Sequence, residues 1–421
     1  MAYISLVALF LTVTNFVPVS AIGFAPLLLC IWRFYGRSYP EFIAPLVAFS
    51  AYVVLSTLLY DPASFLTFDF YRRDGNFFIS YAPMLAGCLY AHRWDLNKLL
   101  RFFFIFAVLV NVPSYALFVG EVGPLAMLQH SGGSFGSYFV ALNAAGGFLA
   151  MLFCLGVACY MHQRSKLILV LLAFNALMLF STYSRGSLLG VVAVLPYLLF
   201  GRKPWVLLGM MAGIIACSIG IALYNLSPTV DYMGYPFNMH NADAKVANLD
   251  IRYEWLWPRA FTYFRQSPLF GVGFGSFDDD IASLISYFGL VAQPVGVIIK
   301  HSDSHAHNSY LSFLAELGLV GLSLFMIFIW QLIRWAANGA ADALKEGRHN
   351  YVAYLSIELS SVCLLVMSFS EHRLTSPSNV LILSLTVSLL LASRVPDMSA
   401  VRASAPVPRP RATPGRNLRK T

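Results

Sequence analysis

Long apolar runs alternate with short polar connections along most of the chain. An α-helix needs about 20 apolar residues to cross a hydrocarbon core roughly 30 Å thick. The strands of a membrane β-barrel would instead alternate in hydrophobicity over about ten residues, and these runs do not alternate. The pattern therefore predicts an all-α polytopic membrane protein with about 12 transmembrane helices.

The predicted spans divide the chain into four parts. Residues 1–224 are predicted to hold transmembrane helices 1–9, and residues 307–393 to hold helices 10–12. Residues 225–306 form one large loop, which we expect to face outward and to contain short helices. Residues 394–421, rich in Pro, Arg and Ser, predict a disordered basic tail. The spans are placed at 3–15, 18–33, 41–60, 76–92, 100–119, 137–160, 166–182, 186–200, 204–224, 307–334, 350–370 and 377–393.

Charge supports this interpretation and gives it an orientation. Only 11% of the 421 residues are charged, whereas a soluble domain carries about 25%. Most lysines and arginines fall in the tail and in the connections on one side of the predicted bundle. The positive-inside rule then places both termini in the cytoplasm and the large loop on the outer side. We expect no nucleic-acid partner.

A histidine run stands where the large loop enters the tenth predicted helix. Titratable groups at a membrane boundary are costly to place, and histidine titrates near neutral pH. Three interpretations stay open. The alternation His301-x-Asp303-x-His305-x-His307 suits metal ligands, His307 or Asn308 can cap the helix, and an imidazole can act as a general base. No second cluster completes a metal site, so we expect no metal.

Arginines on the predicted outer side are candidates for binding an anion. Arg185 opens a predicted helix, where its charge adds to the helix dipole and to the free backbone N–H groups. Ser184 and Ser187 add hydroxyl donors beside it. Snorkelling of these arginines to lipid phosphates is the alternative. Further outward cations of this kind are Arg72, Arg73 and Arg373.

The large loop holds two more candidate features. Arg252 and Arg259 are seven residues apart, so they share a face of a helix that is predicted to begin at Ile251. An amphipathic helix of this kind can offer two guanidiniums to a phosphate near the headgroups, and a solvated surface face is the alternative. Residues 268–275 contain three glycines. They predict a tight turn, with a phosphate-binding nest as the alternative.

Several short motifs in this part of the chain occur together in a known family. His307-Asn308 is followed, after nine residues, by Gly318-x-x-Gly321. Matching positions nearby are Ser184-Arg185-Gly186, Arg252, Trp255, Ala260, Pro268-Leu269 and Gly271-Val272-Gly273. Together they resemble the O-antigen ligase and O-antigen polymerase superfamily, by motif over roughly residues 180–335 and by topology over the whole chain.

The resemblance implies an inverting, metal-independent glycosyltransferase of the bacterial inner membrane that acts on the periplasmic side and uses no cofactor. The implied donor is a glycan on undecaprenyl pyrophosphate, and the implied acceptor is lipid A-core, as in an O-antigen ligase. The alternatives within the superfamily are a polymerase of O-antigen or exopolysaccharide repeats and a protein O-oligosaccharyltransferase. Outside this class, a transporter of lipid-linked glycans is an alternative, but it would place polar groups at mid-membrane.

The resemblance and the chemistry together predict the site residues. His307 is the predicted catalytic base, which takes a proton from the acceptor hydroxyl. His305, Asn308, Gly318 and Gly321 are predicted supporting residues. The two glycines are expected to let a neighbouring helix approach closely. Cations stabilise the pyrophosphate leaving group, and the arginines predicted to do so are Arg185, Arg252, Arg259, Arg72, Arg73 and Arg373.

Overall fold

The computed structural model describes residues 39–66, 70, 76–88, 92–124, 133–139, 142–224, 251–277, 305–347 and 349–393. In these ranges every regular element is helical. The first two predicted spans, most of the large loop and the basic tail lie outside the described residues, as do Arg72, Arg73 and His301.

Eleven α-helices occur in the described ranges, together with two short helical turns, a 3₁₀ turn at Pro62–Leu66 and a π-helical turn at Ile251–Leu256. The α-helices are α1 (Ile43–Tyr60), α2 (Asn76–Ala86), α3 (Leu96–Val122), α4 (Leu142–Gln163), α5 (Lys166–Ser181), α6 (Arg185–Leu199), α7 (Pro204–Tyr224), α8 (Trp257–Gln266), α9 (Ser309–Lys345), α10 (Tyr351–Met367) and α11 (Pro377–Ser393).

Each predicted span within the described ranges coincides with one of these helices, which confirms the all-helical class. Five of them, α1, α3, α4, α7 and α9, are long and apolar enough to cross a membrane. The apolar helices α5, α6, α10 and α11 are shorter. The 17 residues of α10, for example, rise only about 25 Å. The count of twelve transmembrane helices therefore stays a prediction.

Helix α10 forms the centre of the bundle. It packs against α4, α9, α6 and α11, and all of its residues are buried. Glu358 of this helix is fully buried and forms an ion pair with Arg202. A carboxylate within an apolar helix needs this position, because it must face the interior of the bundle rather than lipid. The peripheral helices instead expose apolar side chains such as Val170, Val192 and Leu208, as expected of surfaces that face lipid.

An aromatic cluster joins α1, α2 and the middle of α9. Phe49 contacts Phe77 and Phe325 edge to face, with ring centroids 5.1 and 5.3 Å apart. Tyr81 meets Phe328 in the same manner at 5.8 Å. Edge-to-face pairs of this kind add to the stabilisation from burial alone, so the cluster fixes the part of α9 that follows the break at Gly318 against α1 and α2.

The long helix α9 is broken at Gly318, whose backbone is non-helical (φ 65°, ψ −164°). The glycine-rich segment 268–273 docks into this break. Leu319 N donates to Pro268 O at 2.9 Å, and Val320 N donates to Leu269 O at 3.1 Å. On the other side of the break, Val272 N donates to Ala315 O at 2.9 Å.

This docking corrects the expected role of the glycines. Gly318 was expected to admit a neighbouring helix, but the segment that approaches it is the loop 268–273. A Cβ at Gly271 (φ 75°) would collide with the backbone of Glu316. Both segments, 268–273 and the break in α9, therefore need glycine where they meet. The glycine run is therefore a structural turn. Gly321 faces Tyr52, whose ring lies 3.2 Å from the position of a Cβ there.

The helix predicted from Ile251 is also different from the one observed. Residues 251–256 form a π-helical turn, and the α-helix begins only at Trp257, with Pro258 in its first turn. Proline is favoured there because a backbone N–H in the first turn has no acceptor within the helix, so its absence in proline costs no hydrogen bond. The change of helical period separates Arg252 from Arg259, and the expectation that they share one face is wrong.

Candidate active site

The site is built at the start of α9, where Asn308 caps the helix. Its side-chain oxygen accepts hydrogen bonds from Tyr310 N at 3.0 Å and Leu311 N at 3.1 Å. Its amide nitrogen donates to Ser218 Oγ of α7 at 2.9 Å. Asn308 thus satisfies the first N–H groups of the helix, and the cap does not require His307.

His307 precedes the cap in a left-handed backbone conformation (φ 49°). This conformation is uncommon for residues other than glycine, and such residues occur often at functional sites. The imidazole is one-fifth exposed, at 21%, so it is held by the protein and still reachable by a ligand.

The connection 368–376 between α10 and α11 returns to this point. Ser309 holds this connection by hydrogen bonds: its hydroxyl donates to Glu371 O at 3.1 Å and accepts from Arg373 N at 2.8 Å. Ser309 N donates to Ser368 O at 3.0 Å. The start of α9 and this connection are therefore one hydrogen-bonded unit, which brings Glu371 beside His307.

The carboxylate of Glu371 is the hub of the site. Its Oε2 lies 3.0 Å from His307 Nδ1. Its Oε1 lies 2.7 Å from Arg252 Nη2 and accepts from Asn143 Nδ2 at 2.8 Å. Burial favours the protonated acid, but the neighbouring His307, Arg252 and Arg373 outweigh burial and hold the pKa of Glu371 well below its usual range. Glu371 is therefore an ionised carboxylate at neutral pH.

Arg252 is the predicted arginine that reaches this hub. Besides its ion pair with Glu371, its Nη1 donates to Ser370 O at 2.7 Å. Its side chain is 12% exposed. The shared carboxylate places its guanidinium next to the imidazole of His307, so a cation and a candidate base stand side by side.

Arg373 lies behind the hub and is 2% exposed. Its guanidinium donates to Asn143 O at 2.6 Å, to Ser184 Oγ at 3.0 Å and to Asn379 Oδ1 at 3.2 Å. Burial lowers its pKa, and the charge of Glu371 opposes that change. Through these hydrogen bonds Arg373 links α4, the start of α6 and α11 to one another.

The other two described arginines have different surroundings. Arg185 opens α6, as predicted, and its side chain is exposed. Arg259 is buried in the loop, where it lies over the rings of Tyr263 and Phe277 at 5.3 and 5.4 Å from their centroids. Its Nη2 also donates to Tyr263 Oη at 2.8 Å. The structure thus gives Arg259 a packing environment away from the Glu371 contacts.

Two further imidazoles surround His307. The ring centroid of His305 lies 4.3 Å from that of His307 and 4.9 Å from that of His372. Burial, reinforced by the positive charge that His307 can carry, lowers the pKa of His372 to about 4. His372 is therefore neutral at physiological pH, and its Nε2 lies 2.7 Å from Thr375 Oγ1.

His305, His307 and Glu371 are also close enough to hold a metal ion, with ligand atoms within 4.8 Å of one another. Imidazole and carboxylate are suitable transition-metal ligands. However, both oxygens of Glu371 already contact donors, namely Arg252, Asn143 and His307. A cation would have to displace them and would be repelled by Arg252. The absence of a metal stays a prediction.

An apolar groove of about 340 Å³ adjoins this end of the bundle between α6, α7 and α10. Leu189, one turn after Arg185, lines its α6 side, and Gly213 lines its α7 side. Phe369, two residues before Glu371, lines it as well. An apolar groove therefore begins close to both the exposed arginine and the carboxylate hub.

Sequence analysis did not identify Glu371, Asn143 or His372. Glu371 and His372 belong to the polar run Ser370-Glu371-His372-Arg373, which interrupts two buried apolar helices. Such a run between spans is costly in a membrane, and this signal could have identified Glu371. Asn143 carries no comparable signal, because its neighbours are ordinary small residues of α4.

Comparison with known families agrees with the motifs. Residues 167–326 match the family model described as O-antigen ligase. This stretch is similar to the O-antigen ligase family. The match confirms the resemblance seen in the sequence, and it contains Arg185, Arg252, Arg259 and His307. None of the curated proteins matches the chain.

The match indicates the function at a coarse level. The O-antigen ligase family comprises ligases and polymerases of the glycosyltransferase type, which act in bacterial membranes in lipopolysaccharide biosynthesis on lipid-linked glycans. The match covers less than half of the chain and ends before the connection 368–376. Glu371 and Arg373 therefore enter the site from outside the matched region.

Proposed function

We propose that this protein is an O-antigen ligase, which moves a glycan from undecaprenyl pyrophosphate to lipid A-core at the periplasmic face of the inner membrane. The observation that carries the glycosyl-transfer chemistry is the juxtaposition of a partly exposed imidazole, His307, with the guanidinium of Arg252 through one carboxylate. The choice of a ligase rests on the twelve predicted spans and the single dominant loop. The proposed topology has twelve spans, both termini in the cytoplasm and residues 225–306 in the periplasm.

The chemistry is one in-line displacement. The acceptor hydroxyl forms a bond to the anomeric carbon as the bond from that carbon to the pyrophosphate oxygen breaks, which inverts the configuration. His307 takes the hydroxyl proton as the general base. The electron pair of the broken bond goes to the pyrophosphate, an anion that needs positive charge rather than a proton donor. No cofactor and no metal enter this scheme.

Among the arginines, Arg185 and Arg252 are the proposed ligands of the pyrophosphate. Arg185 is exposed at the start of α6, and Arg252 adjoins His307 through Glu371. Arg72 and Arg73 are proposed as further ligands on sequence grounds alone. Arg252 is also paired with protein groups, but its side chain stays partly exposed. The guanidiniums of Arg259 and Arg373 bind protein partners and are buried, so we give them supporting roles.

The apolar groove is the proposed site of the polyprenyl chain. It lies one helical turn beyond Arg185, so a lipid whose pyrophosphate binds that arginine can lay its first isoprene units along the groove. The groove opens between helices that expose apolar side chains. A lipid can therefore enter from the bilayer without passing through water.

Deletion of the gene and complementation with variants tests the proposed function. Wild-type protein is expected to restore lipopolysaccharide that carries long glycan, and His307→Ala is expected not to, although it reaches the membrane in normal amount. His349→Ala is the matched control, because His349 is exposed and lies in the connection between α9 and α10. Long-glycan lipopolysaccharide in the His307→Ala strain would show that His307 is not the base.

The same experiment separates the alternatives. Loss of a ligase leaves long polymer on the undecaprenyl carrier, whereas loss of a polymerase leaves core that bears a single repeat. Loss of a protein O-oligosaccharyltransferase leaves lipopolysaccharide intact and removes glycan from proteins. The geometry of His307 and Arg252 serves all three reactions equally, because they share a donor and differ only in the acceptor.

A further inference from the structure

We infer that Glu371 is a positioning residue for His307: its carboxylate fixes the imidazole tautomer that leaves Nε2 free to accept the acceptor proton. This inference rests on the proposed function and adds a residue to it. Glu371 lies outside the region that matches the O-antigen ligase family.

The tautomer follows from the hydrogen-bonding capacity of the two groups. An ionised carboxylate only accepts hydrogen bonds. Since Glu371 Oε2 lies 3.0 Å from His307 Nδ1, the proton must be on Nδ1. In a neutral imidazole the other nitrogen then carries the lone pair. Nε2 is the base, and it is the nitrogen that faces away from Glu371.

The carboxylate is itself held rigidly. Asn143 of α4 donates to its Oε1, and Ser309 fixes its backbone through the bonds to Glu371 O and Arg373 N. Two helices, α4 and α9, and the connection 368–376 thus determine where Oε2 points before any substrate arrives. Preorganisation of this kind is what an oriented base requires.

Glu371 also balances the charge that develops during transfer. When His307 takes up the proton it becomes a cation beside Arg252 and near Arg373. Without a carboxylate between them, these arginines would repel the imidazolium. Glu371 contacts both His307 and Arg252, so it stabilises the protonated base in the transition state.

Replacement of Glu371 by glutamine is a specific test because of Asn143 and Arg252. Both donate to the Oε1 position, so the amide oxygen of the introduced glutamine would be drawn to them. The amide NH₂ would then occupy the Oε2 position and face His307 Nδ1. It can only donate there, which moves the imidazole proton to Nε2 and blocks the base.

The experiment measures glycan transfer by the full-length protein in liposomes, with undecaprenyl-pyrophosphate-linked glycan and lipid A-core as substrates, across pH. Glu371→Gln is expected to lower the rate by roughly 10²–10⁴-fold, the range between a typical base contribution and a wrong-tautomer enzyme. It should also move the acidic limb of the pH–rate profile to lower pH. Glu371→Asp keeps the charge and should retain more activity than Glu371→Gln. A Glu371→Gln enzyme with the wild-type rate and profile overturns the inference.

A second measurement uses the wild-type protein and so does not depend on how the variants fold. Nitrogen-15 spectra of labelled histidine, with His307→Gln to assign the signal, report which ring nitrogen of His307 carries the proton. The Nδ1–H tautomer is expected, and the Nε2–H tautomer contradicts the inference. The proposed function is tested separately: it fails if the His307→Ala protein still transfers glycan. If His307→Ala is inactive and Glu371→Gln transfers at the wild-type rate, only the role of Glu371 is rejected.

Discussion

Replacement of Gly318 by alanine is expected to destabilise the protein by roughly 2–6 kcal/mol. At this residue the backbone has φ 65° and ψ −164°, a region that is essentially restricted to glycine. A Cβ at this position would lie 2.6 Å from Phe270 N, and Leu269 O would be closer still. These are backbone atoms, so no side-chain rotation relieves the contact.

The magnitude has two parts. The strained conformation costs about 1–3 kcal/mol for a residue with a side chain. The collision also pushes the docked segment away, which removes the hydrogen bonds from Leu319 N to Pro268 O and from Val320 N to Leu269 O. Each contributes about 0.5–1.5 kcal/mol. The two parts together give roughly 2–6 kcal/mol.

The assay is reversible unfolding of the purified protein in mixed micelles by increasing SDS, followed by tryptophan fluorescence. Gly347→Ala is the matched control, because Gly347 also has positive φ (85°) but has open space around its missing Cβ. The control carries the conformational cost without the collision. If the two variants unfold within about 0.5 kcal/mol of each other, less than one hydrogen bond, the docked segment does not stabilise the break in α9.

Three further outcomes are expected. Gly213→Leu fills the apolar groove and should raise the KM for the lipid-linked donor, whereas Gly220→Leu on the same helix should leave that KM unchanged. Both glycines have open space around them, so neither leucine should collide with the protein. Equal effects of the two variants would show that the polyprenyl chain does not bind in the groove. Burial lowers the pKa of His372 to about 4 in the folded protein, so as pH falls below about 6.5 the imidazole binds a proton in the unfolded state but not in the folded state. The free energy of unfolding should therefore decline from about pH 6.5 to about pH 4, and it should decline less steeply in His372→Gln. Parallel declines in the two proteins would show that His372 is not the cause. Transfer should persist in excess EDTA, and a loss reversed by Zn²⁺ would assign His305, His307 and Glu371 as metal ligands.

The sequence predicts the helices well because hydrophobic length is a local property. The apolar runs mark the positions of α1 to α7 and of α9 to α11, and the polar pair His307-Asn308 marks the start of α9, where Asn308 is the cap. The start of α6 at Arg185 follows from the polar turn that precedes it. Each of these features depends on a few neighbouring residues.

The features that the sequence did not reveal depend on contacts between residues that are distant in sequence. Glu371 is 64 residues from His307, and only the packing of α10 against α9 brings them together. Gly318 looked like a helix contact because Gly-x-x-Gly within an apolar run has the same appearance whether it admits a helix or a loop. Arg373 was predicted to bind an anion, since a polar run between two spans does not reveal that its guanidinium is buried among Asn143, Ser184 and Asn379.

The most direct test of the account is glycan transfer by purified His307→Ala in liposomes that contain the lipid-linked donor and lipid A-core. A positioned general base contributes about 10²–10⁴-fold to a rate, so the variant should lose activity by that factor while binding the donor as the wild type does. His349→Ala should transfer at the wild-type rate. A His307→Ala enzyme that retains more than about one-tenth of the wild-type rate, short of the smallest contribution expected of a base, would contradict the central claim that the imidazole at the start of α9 takes the acceptor proton.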